Sequence, residues 1–447
     1  MHDSSPQPTM NMIQQAREII ATALFASMAA MPLAASDWPQ WRGPNRDDVS
    51  TEKGLLQQWP AGGPTLTWKT SGLGAGHGGL AVAGGRVFTT GEKDEAGLAF
   101  ALDEAHGEVI WRTPIGKSGG GPPAPRSTPT VNGSRVYVLG QFGDLVCLQA
   151  ATGQPVWRKN LKQDFGGQCG GWQYSESPLV DGNRVICTPG SARGTMVALD
   201  KTTGALLWQT SEWTDPAEYS SPIEEEIAGV RQYIQFTGQS VAGVEPATGK
   251  VLWRAHRPGA TATVPTPVYH DNHVYVSSGY GVGCNLFEIT KAGGAFQARQ
   301  VYANKSMVNH HGGVVRVGEY LYGYSDGKGW VCQELKTGRL VWSNEGVGKG
   351  SLTCADGHLY LRSEAGKGVI ALVEATPDGY KEKGRFDQPN RSSENSWPHP
   401  VVANGKLYIR DQDVMLCFDV RADKKSAGQS VRACAKLPAM NLHRADL

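Results

Sequence analysis

The residues best suited to chemistry in this sequence come just before a series of short apolar segments that recur along the chain. They combine imidazoles, an arginine, a lysine, a glutamate and flat aromatic rings, a mixture that suits a planar or anionic small molecule. The alternative is that these groups satisfy one another and the backbone of buried loops. The candidates are His77, Arg126, Ser127, Trp172, Tyr174, Glu176, Tyr219, Asn309, His310, His311, Lys349, Trp397 and His399.

The adjacent histidines His310 and His311 are the strongest candidates for a metal site. With His77, His399 and Glu176 they could bind zinc or copper, because imidazole and carboxylate are common ligands of both ions. Neighbouring side chains on an extended chain point in opposite directions, so at most one of the pair is expected to face a given ion. We therefore favour histidines that form hydrogen bonds over a metal site.

An eleven-residue motif repeats along the chain and indicates the elements that position these groups. Close copies occur at residues 101–111, 147–157, 198–208, 243–253 and 332–342. Each copy predicts a strand, a tight turn at a glycine and a returning strand that carries a tryptophan. Glycine suits the turn because it adopts positive φ without steric cost. Another pair of short strands precedes each copy, so the repeating unit is a four-stranded antiparallel sheet.

Large aromatic residues on the fourth strand mark eight such units. They recur at intervals of roughly 40 to 50 residues, the period of a β-propeller blade, and are Trp68, Trp111, Trp157, Trp208, Trp253, Tyr302, Trp342 and Phe386. The last unit lacks a fourth strand, and the strand of Trp68 lacks the other three, so the N-terminal strand should complete the last blade. Residues 66–420 are thus predicted to form an all-β, eight-bladed β-propeller of four-stranded antiparallel blades, whose connections gather the candidate residues at one mouth of the central channel.

The repeat resembles the pyrroloquinoline-quinone-like repeat family, whose motif Ala-x-Asp-x-x-Thr-Gly-Lys-x-x-Trp is met best by residues 198–208. The opening Asp-Trp-Pro-Gln-Trp-Arg-Gly-Pro-Asn at residues 37–45 is similar to that of a branch described as polyvinyl-alcohol-dehydrogenase-like or outer-membrane assembly factor B-like. The resemblance implies an exported propeller of the quinoprotein alcohol dehydrogenase-like superfamily. It does not fix a function, because one fold hosts many.

Two functions follow as hypotheses from this resemblance. The one we favour is a binding or interaction scaffold that holds a protein partner or a small polar or planar ligand at the mouth. The alternative is a quinone-dependent dehydrogenase of alcohols or polyvinyl alcohol, in which pyrroloquinoline quinone and Ca²⁺ occupy the mouth and Glu176 or Asp326 acts as the base. Neither a Cys-x-x-Cys-His haem motif nor the adjacent cysteine pair of the quinone enzymes occurs in the sequence. A hydrolase that uses His310 or His311 with Ser127 or Ser175 ranks last, because no nucleophile-elbow motif is present.

Charge and the N-terminal region indicate the compartment and exclude one class of partner. Lys and Arg total 43 against 42 Asp and Glu, and the two signs are interspersed, so nucleic acid is not an expected partner. Residues 1–36 contain an apolar run at 19–35 that ends in small residues, which predicts an export signal and a periplasmic or extracellular protein. We expect no membrane span after cleavage and a monomer.

The segments that flank the repeats are predicted to be accessory. Residues 37–65 form a preface in which Trp38 and Trp41 are expected to hold the chain against the outside or base of the propeller, and residues 421–447 form a flexible tail. Eight cysteines raise the question of disulfides in an exported protein. Most of them fall at strand positions of different blades, too far apart to be bridged, so no particular pair is expected.

Overall fold

Eight antiparallel sheets of four strands, one of them extended by a short fifth, make up the structure, a computed structural model that describes residues 36–121 and 125–422. The first strands of neighbouring sheets lie against one another around a common axis. The structure thus confirms the predicted all-β, eight-bladed propeller. Within the described residues, no helix is long and apolar enough to cross a membrane. The predicted export signal, apart from Ser36, lies outside them.

We name the strands of each blade A to D in order from the channel outwards. Blade 1 contains β3 Leu80–Ala83, β4 Arg86–Lys93, β5 Ala96–Asp103 and β6 Val109–Lys117. Blade 2 contains β7 Thr130–Asn132, β8 Arg135–Leu139, β9 Asp144–Gln149 and β10 Pro155–Asn160. Blade 3 contains β11 Leu179–Asp181, β12 Arg184–Cys187, β13 Val197–Asp200 and β14 Leu206–Gln209. Blade 4 contains β15 Ile223–Ile227, β16 Val230–Phe236, β17 Ser240–Val244 and β18 Val251–His256.

The second half of the ring repeats this order. Blade 5 contains β19 Val268–His270, β20 His273–Ser278, β21 Gly283–Ala292 and β22 Ala295–Asn304. Blade 6 contains β23 Val314–Val317, β24 Tyr320–Ser325, β25 Gly329–Glu334 and β26 Leu340–Asn344. Blade 7 contains β27 Gly350–Ala355, β28 His358–Ser363, β29 Ile370–Glu374 and β30 Glu382–Phe386. Blade 8 contains β31 Val401–Ala403, β32 Lys406–Asp411, β33 Val414–Asp419 and, from the N-terminal region, β2 Thr65–Thr70. The remaining elements are β1 Val49–Ser50 and the helix α1 Leu161–Phe165.

The last blade is closed by a strand from near the start of the chain. β2 pairs antiparallel with β33 and sets Trp68 opposite Cys417. This confirms the predicted closure. Because β2 and β33 share one sheet, the ring of blades is closed. None of the described sheets is left incomplete with an unpaired strand that would expose its backbone N–H and C=O groups.

The aromatic residues on the D strands join each blade to the next. The indole N–H of Trp68 donates a 3.0 Å hydrogen bond to the carbonyl oxygen of Glu104 in blade 1. The equivalent tryptophans of the next three blades make the same bond to the blade that follows. Below the ring of Trp68 lies the turn glycine Gly107, at φ of +75°, where a Cβ would come within 2.5 Å of the indole. The motif glycine is therefore required both by the turn and by the contact between blades.

Residues 37–50, here called the N-terminal segment, run through the central channel. Trp38 forms a bridge to β3 of blade 1, the carbonyl oxygen of Pro39 accepts a hydrogen bond from β7 of blade 2, and β1 pairs in parallel with β27 of blade 7. The expectation that Trp38 and Trp41 hold this segment against the outside or base is therefore wrong. Trp38 is 2% exposed, because it packs in the core between blades 1 and 8.

Buried charges hold the N-terminal segment in place. Arg42 donates a 2.6 Å hydrogen bond to a carbonyl oxygen of blade 6, and its Nε lies 2.8 Å from the carboxylate of Asp48. The same carboxylate lies 2.8 Å from Nδ1 of His399 in the connection to blade 8. Arg46 donates to the carbonyl oxygen of Ser177, just ahead of blade 3, at 2.7 Å. Because buried charges are stable only with such partners, the segment is part of the propeller core.

The described part of the predicted C-terminal tail is paired with the N-terminal region. Arg421 forms a bridge to Leu55, and the N–H of Ala422 donates to the carbonyl oxygen of Gly54 at 2.9 Å. The rest of the predicted tail lies outside the described residues. The seven cysteines of the described residues are all free, and Cys434 lies outside them.

Candidate functional site

The mouth cavity has a volume of about 330 Å³ and opens at the end of the channel where D strands connect to A strands. Seven predicted mouth residues line it, and they come from six of the eight connections between blades. The propeller therefore brings together side chains that are far apart in sequence. The cavity is lined by Trp41, His77, Arg126, Trp172, Ser175, Ser177, Tyr219, Ser221, Ala262, Val264, Tyr280, His310, His311, Trp397 and Pro398.

One wall of the mouth cavity is built from three successive connections. Arg126 Nη1 donates a hydrogen bond to the carbonyl oxygen of Trp172. The backbone N–H of Trp172 donates to the hydroxyl of Tyr219 at 3.2 Å, and the two aromatic rings lie 5.8 Å apart. A guanidinium beside two flat rings can contact the face of an aromatic molecule and pair with an anionic group on it.

A second wall consists of aromatic rings in contact. The ring of His77 stacks on Trp397 at 4.0 Å, and His311 lies 5.3 Å from the same indole. His310 lies 4.6 Å from His311 and meets the edge of Tyr280 at 4.7 Å. Three of the four predicted histidines, His77, His310 and His311, thus form a continuous surface.

The expectation that His310 and His311 point in opposite directions is wrong, since both line the mouth cavity. It assumed an extended chain, whereas the backbone bends at these two residues. The bend passes close to β27: a Cβ on Gly312 would lie 1.9 Å from the carbonyl oxygen of Gly350. Glycine after the histidine pair therefore permits the chain to pass this close to β27 at the bend.

Charged groups lie behind the two histidines. The Nζ of Lys349 is 2.9 Å from Nδ1 of His310 and 2.9 Å from a carboxylate oxygen of Asp326. The Nε2 of His311 is 2.8 Å from a carboxylate oxygen of Glu364. Lys349, held by Asp326, therefore fixes His310, and Glu364 fixes His311. None of these three charged residues lines the cavity itself.

The histidines of the mouth cavity are neutral near pH 7. Burial, assisted by the nearby Arg126 cation, lowers the pKa of His77 to about 3. Burial and the neighbouring His311 and Lys349 lower the pKa of His310 to about 4. Burial also lowers the pKa of His311, although Glu364 opposes the shift. Among the described lining residues, Arg126 is then the one formal charge.

Other predicted mouth residues lie behind the lining and hold the connections. The hydroxyl of Tyr174 donates to the carbonyl oxygen of Pro189 at 2.9 Å, and Asn309 donates to the carbonyl oxygen of Gly313 at 3.0 Å. This group consists of Ser127, Tyr174, Glu176, Asn309, Lys349 and His399.

Sequence reasoning missed two aromatic lining residues. Trp41 belongs to the N-terminal segment, and its indole N–H donates to the hydroxyl of Thr266 at 2.9 Å. Tyr280 lies between the B and C strands of blade 5 and is 43% exposed. A usable signal existed for Tyr280, because B-to-C turns open on the same face as D-to-A connections. No repeat-based signal existed for Trp41, which precedes the first blade.

The described residues do not fit the calcium-dependent quinone that the fold family implies. Calcium takes about six to eight oxygen ligands, yet no group of three or more His, Cys, Asp or Glu residues in the described part of the chain could hold a metal ion. Glu176 is 1% exposed and accepts a hydrogen bond from the backbone N–H of Thr188, and Asp326 is paired with Lys349. Within the described residues, Oγ of Ser175 has no hydrogen-bond partner, so no serine–histidine pair forms at the mouth cavity.

Glu176 should instead make the free energy of unfolding depend on pH. Burial raises the pKa of its carboxyl from 4.5 to about 7, so between these values the folded protein holds a proton that the unfolded chain has lost. The contribution of Glu176 to the free energy of unfolding therefore falls as pH rises through this window. We expect Glu176→Gln to gain about 1–3 kcal/mol relative to wild type at pH 8 compared with pH 5, measured by chemical denaturation at both pH values.

The matched control is Glu212→Gln, because Glu212 is exposed. Its unfolding free energy should follow wild type at both pH values. An equal change for Glu176→Gln at pH 5 and pH 8 would contradict the buried, proton-bearing carboxyl.

A second cavity of about 330 Å³ lies on the other side of the N-terminal segment. Burial raises the pKa of Glu225 in its wall to about 7. This lower cavity is lined by Asn45, Arg46, Asp47, Ile223, Glu225, Pro267, Val268, Tyr269, His270, Asp271 and Arg316. The N-terminal segment thus contributes Trp41 to the mouth cavity and residues 45–47 to the lower one.

Comparison with known proteins identifies relatives. A family model described as outer membrane protein assembly factor BamB matches residues 52–127 and 95–344. A protein of that description from Kangiella koreensis is 27% identical over 211 residues, which cover 45% of this chain; the chain spans about half of that relative, 48%. A tetrathionate hydrolase of Acidithiobacillus ferrooxidans is 23% identical over 438 residues, which cover 86% of this chain and 82% of that protein.

Solved structures share the fold. The quinohemoprotein alcohol dehydrogenase from Comamonas testosteroni superposes with a TM-score of 0.61 at 12% identity, covering 92% of this chain and 83% of that one. At this identity the likeness shows a common propeller and nothing about activity. The family model, in contrast, matches well over half of the sequence, within residues 52–344. The chain therefore belongs to the family described as outer membrane protein assembly factor BamB.

Proposed function

We propose that this protein is an exported, noncatalytic binding propeller that holds a small planar anion in the mouth cavity and engages a protein partner. Ligand binding is supported by the aromatic, imidazole and guanidinium side chains that six connections bring around one cavity. The family description supports a protein partner in outer-membrane assembly. The apolar run at residues 19–35 supports export to the periplasm or the exterior.

The chemistry of the lining selects the ligand class. Flat rings of Trp172, Tyr219 and Trp397 favour a planar ligand, because aromatic faces and edges attract one another. No acidic residue is among the described lining residues, which disfavours a cation. Arg126 supplies a charge that pairs with one anionic group, and the cavity volume lies in the range of small-molecule sites.

The competing hypothesis is a quinone-dependent dehydrogenase, which the described residues do not favour because they provide no calcium site. If it held, the protein incubated with pyrroloquinoline quinone and Ca²⁺ would reduce an artificial dye when an alcohol is added. Dye reduction would favour this candidate, and its absence would favour the binding propeller.

Arg126→Ala tests the proposed ligand site. Loss of a charged hydrogen bond costs about 1.5–3 kcal/mol, so the variant should bind naphthoate, a planar monoanion, roughly tenfold to a hundredfold more weakly than wild type. Isothermal titration calorimetry gives the affinity directly. The matched control is Arg112→Ala, because Arg112 is exposed on a D strand away from the mouth. Equal naphthoate affinity for wild type and Arg126→Ala would contradict the proposal.

A further inference from the structure

The surroundings of His310 determine which of its ring nitrogens carries the proton. Lys349 Nζ lies 2.9 Å from Nδ1, and an ammonium can only donate. Nδ1 of neutral His310 is therefore the acceptor, and its proton is on Nε2. Within the described residues this Nε2 makes no hydrogen bond. His310 thus offers a free N–H donor at the mouth cavity.

His311 is also protonated on Nε2, but the ring nitrogen left without a partner in the described part of the chain is Nδ1, an acceptor, whereas in His310 it is the donor Nε2–H. Its Nε2 lies 2.8 Å from a carboxylate oxygen of Glu364. The contact lacks hydrogen-bond geometry, but a lone pair on Nε2 would be repelled by an anionic oxygen at this distance, so the charge of Glu364 places the proton on Nε2. Nδ1 is then an acceptor. This atom is buried and has no hydrogen-bond partner among the described residues, and the side chain is 9% exposed. An unsatisfied acceptor of this kind costs free energy until a donor reaches it.

We propose that the mouth cavity recognises a hydroxylated aromatic monoanion, whose hydroxyl donates to Nδ1 of His311 and accepts from Nε2–H of His310 while its anionic group pairs with Arg126. The inference rests on the proposed function and adds the ligand's hydroxyl to it. A hydroxyl is the group that both donates and accepts through one atom. The two rings, 4.6 Å apart, stand close enough for one such group to contact both.

A site built to hydrogen-bond a hydroxyl rejects an analogue that lacks it, because the buried polar atom is left unpaired. The probes are a naphthoate with a hydroxyl on the ring that does not carry the carboxylate, and its methyl ether. Both are planar monoanions, and the ether cannot donate to His311. We expect wild type to bind the hydroxyl compound about tenfold or more tightly than the ether, measured by quenching of naphthoate fluorescence.

Two variants assign the preference to the histidine. His311→Phe keeps a ring of similar size and should bind both probes with equal affinity. Glu364→Gln presents an amide that can accept from or donate to Nε2 of His311, so the preference for the hydroxyl compound should fall while the affinity for the ether stays near wild type. Nitrogen NMR of labelled histidine should find the proton of His311 on Nε2 in wild type, independently of any ligand.

The outcomes separate this inference from the proposed function. If wild type binds both probes equally, and both bindings depend on Arg126, the hydroxyl recognition is wrong and the anion site stands. If neither probe binds wild type, the proposed anion site is itself wrong. A proton found on Nδ1 of His311 would overturn the inference whatever the affinities.

Discussion

Arg42→Ala is expected to lower the free energy of unfolding by about 3–5 kcal/mol, the cost of removing one partner of a buried ion pair. Arg42 is 2% exposed; its Nε lies 2.8 Å from Asp48, and it donates to a carbonyl oxygen of blade 6. The variant leaves the carboxylate of Asp48 in the channel without its guanidinium. Because Trp41 precedes Arg42 and lines the mouth cavity, naphthoate binding should weaken as well. Denaturant unfolding and calorimetry measure the two effects.

The control is Arg299→Ala, which removes an arginine that is paired with Glu288 but is 69% exposed. Exposed pairs contribute little, about 0–1 kcal/mol. A loss for Arg42→Ala no larger than for Arg299→Ala would mean that the N-terminal segment is not part of the core.

Trp68→Ala is expected to cost about 3–5 kcal/mol, as do other truncations of large buried aromatic side chains. Trp68 is 7% exposed, lies over Gly107 of blade 1 and is carried by the strand that closes blade 8. The variant removes the contact between the two ends of the ring, and the midpoint of thermal unfolding should fall accordingly.

Leu66→Ala on the same strand is the matched control, because Leu66 is 40% exposed. Its effect should stay within about 0.5 kcal/mol. Similar losses for Leu66→Ala and Trp68→Ala would indicate that β2 contributes through its backbone alone and that the indole does not join blade 8 to blade 1.

The blades could be predicted from sequence because their determinants are local and repeated. A turn glycine such as Gly107 and an anchor such as Trp68 recur at a fixed spacing, and the structure shows that the two are in contact across the blade boundary. The closure followed from counting strands, because β2 has no A, B or C strand directly before it and the C-terminal strands β31, β32 and β33 lack a fourth.

The N-terminal segment could not be predicted, because nothing in it repeats and its partners are far away in sequence. Trp41 bonds to Thr266, and Arg42 bonds to Val314. Such contacts depend on the finished ring. From sequence alone, a segment with two tryptophans could lie on the outer surface or in the channel, because the width of the channel is not known before the ring is built.

The sequence predicted which connections form the mouth cavity more reliably than which of their side chains face it. Arg126, Trp172 and Trp397 line the cavity as expected. Glu176 lies in the same kind of connection, but its side chain turns into the protein and accepts a hydrogen bond from Thr188. Which way a side chain turns depends on local bends, such as the one at His310, that alternation along an extended strand does not describe.

A crystal structure of the protein with the hydroxynaphthoate bound tests the central claim most directly. We predict the naphthalene rings in the mouth cavity, with the carboxylate against Arg126 and the hydroxyl within hydrogen-bond distance of Nδ1 of His311. A molecule bound in the lower cavity beside Glu225, or between blades on the outer surface, would contradict the assignment of this mouth as the ligand site.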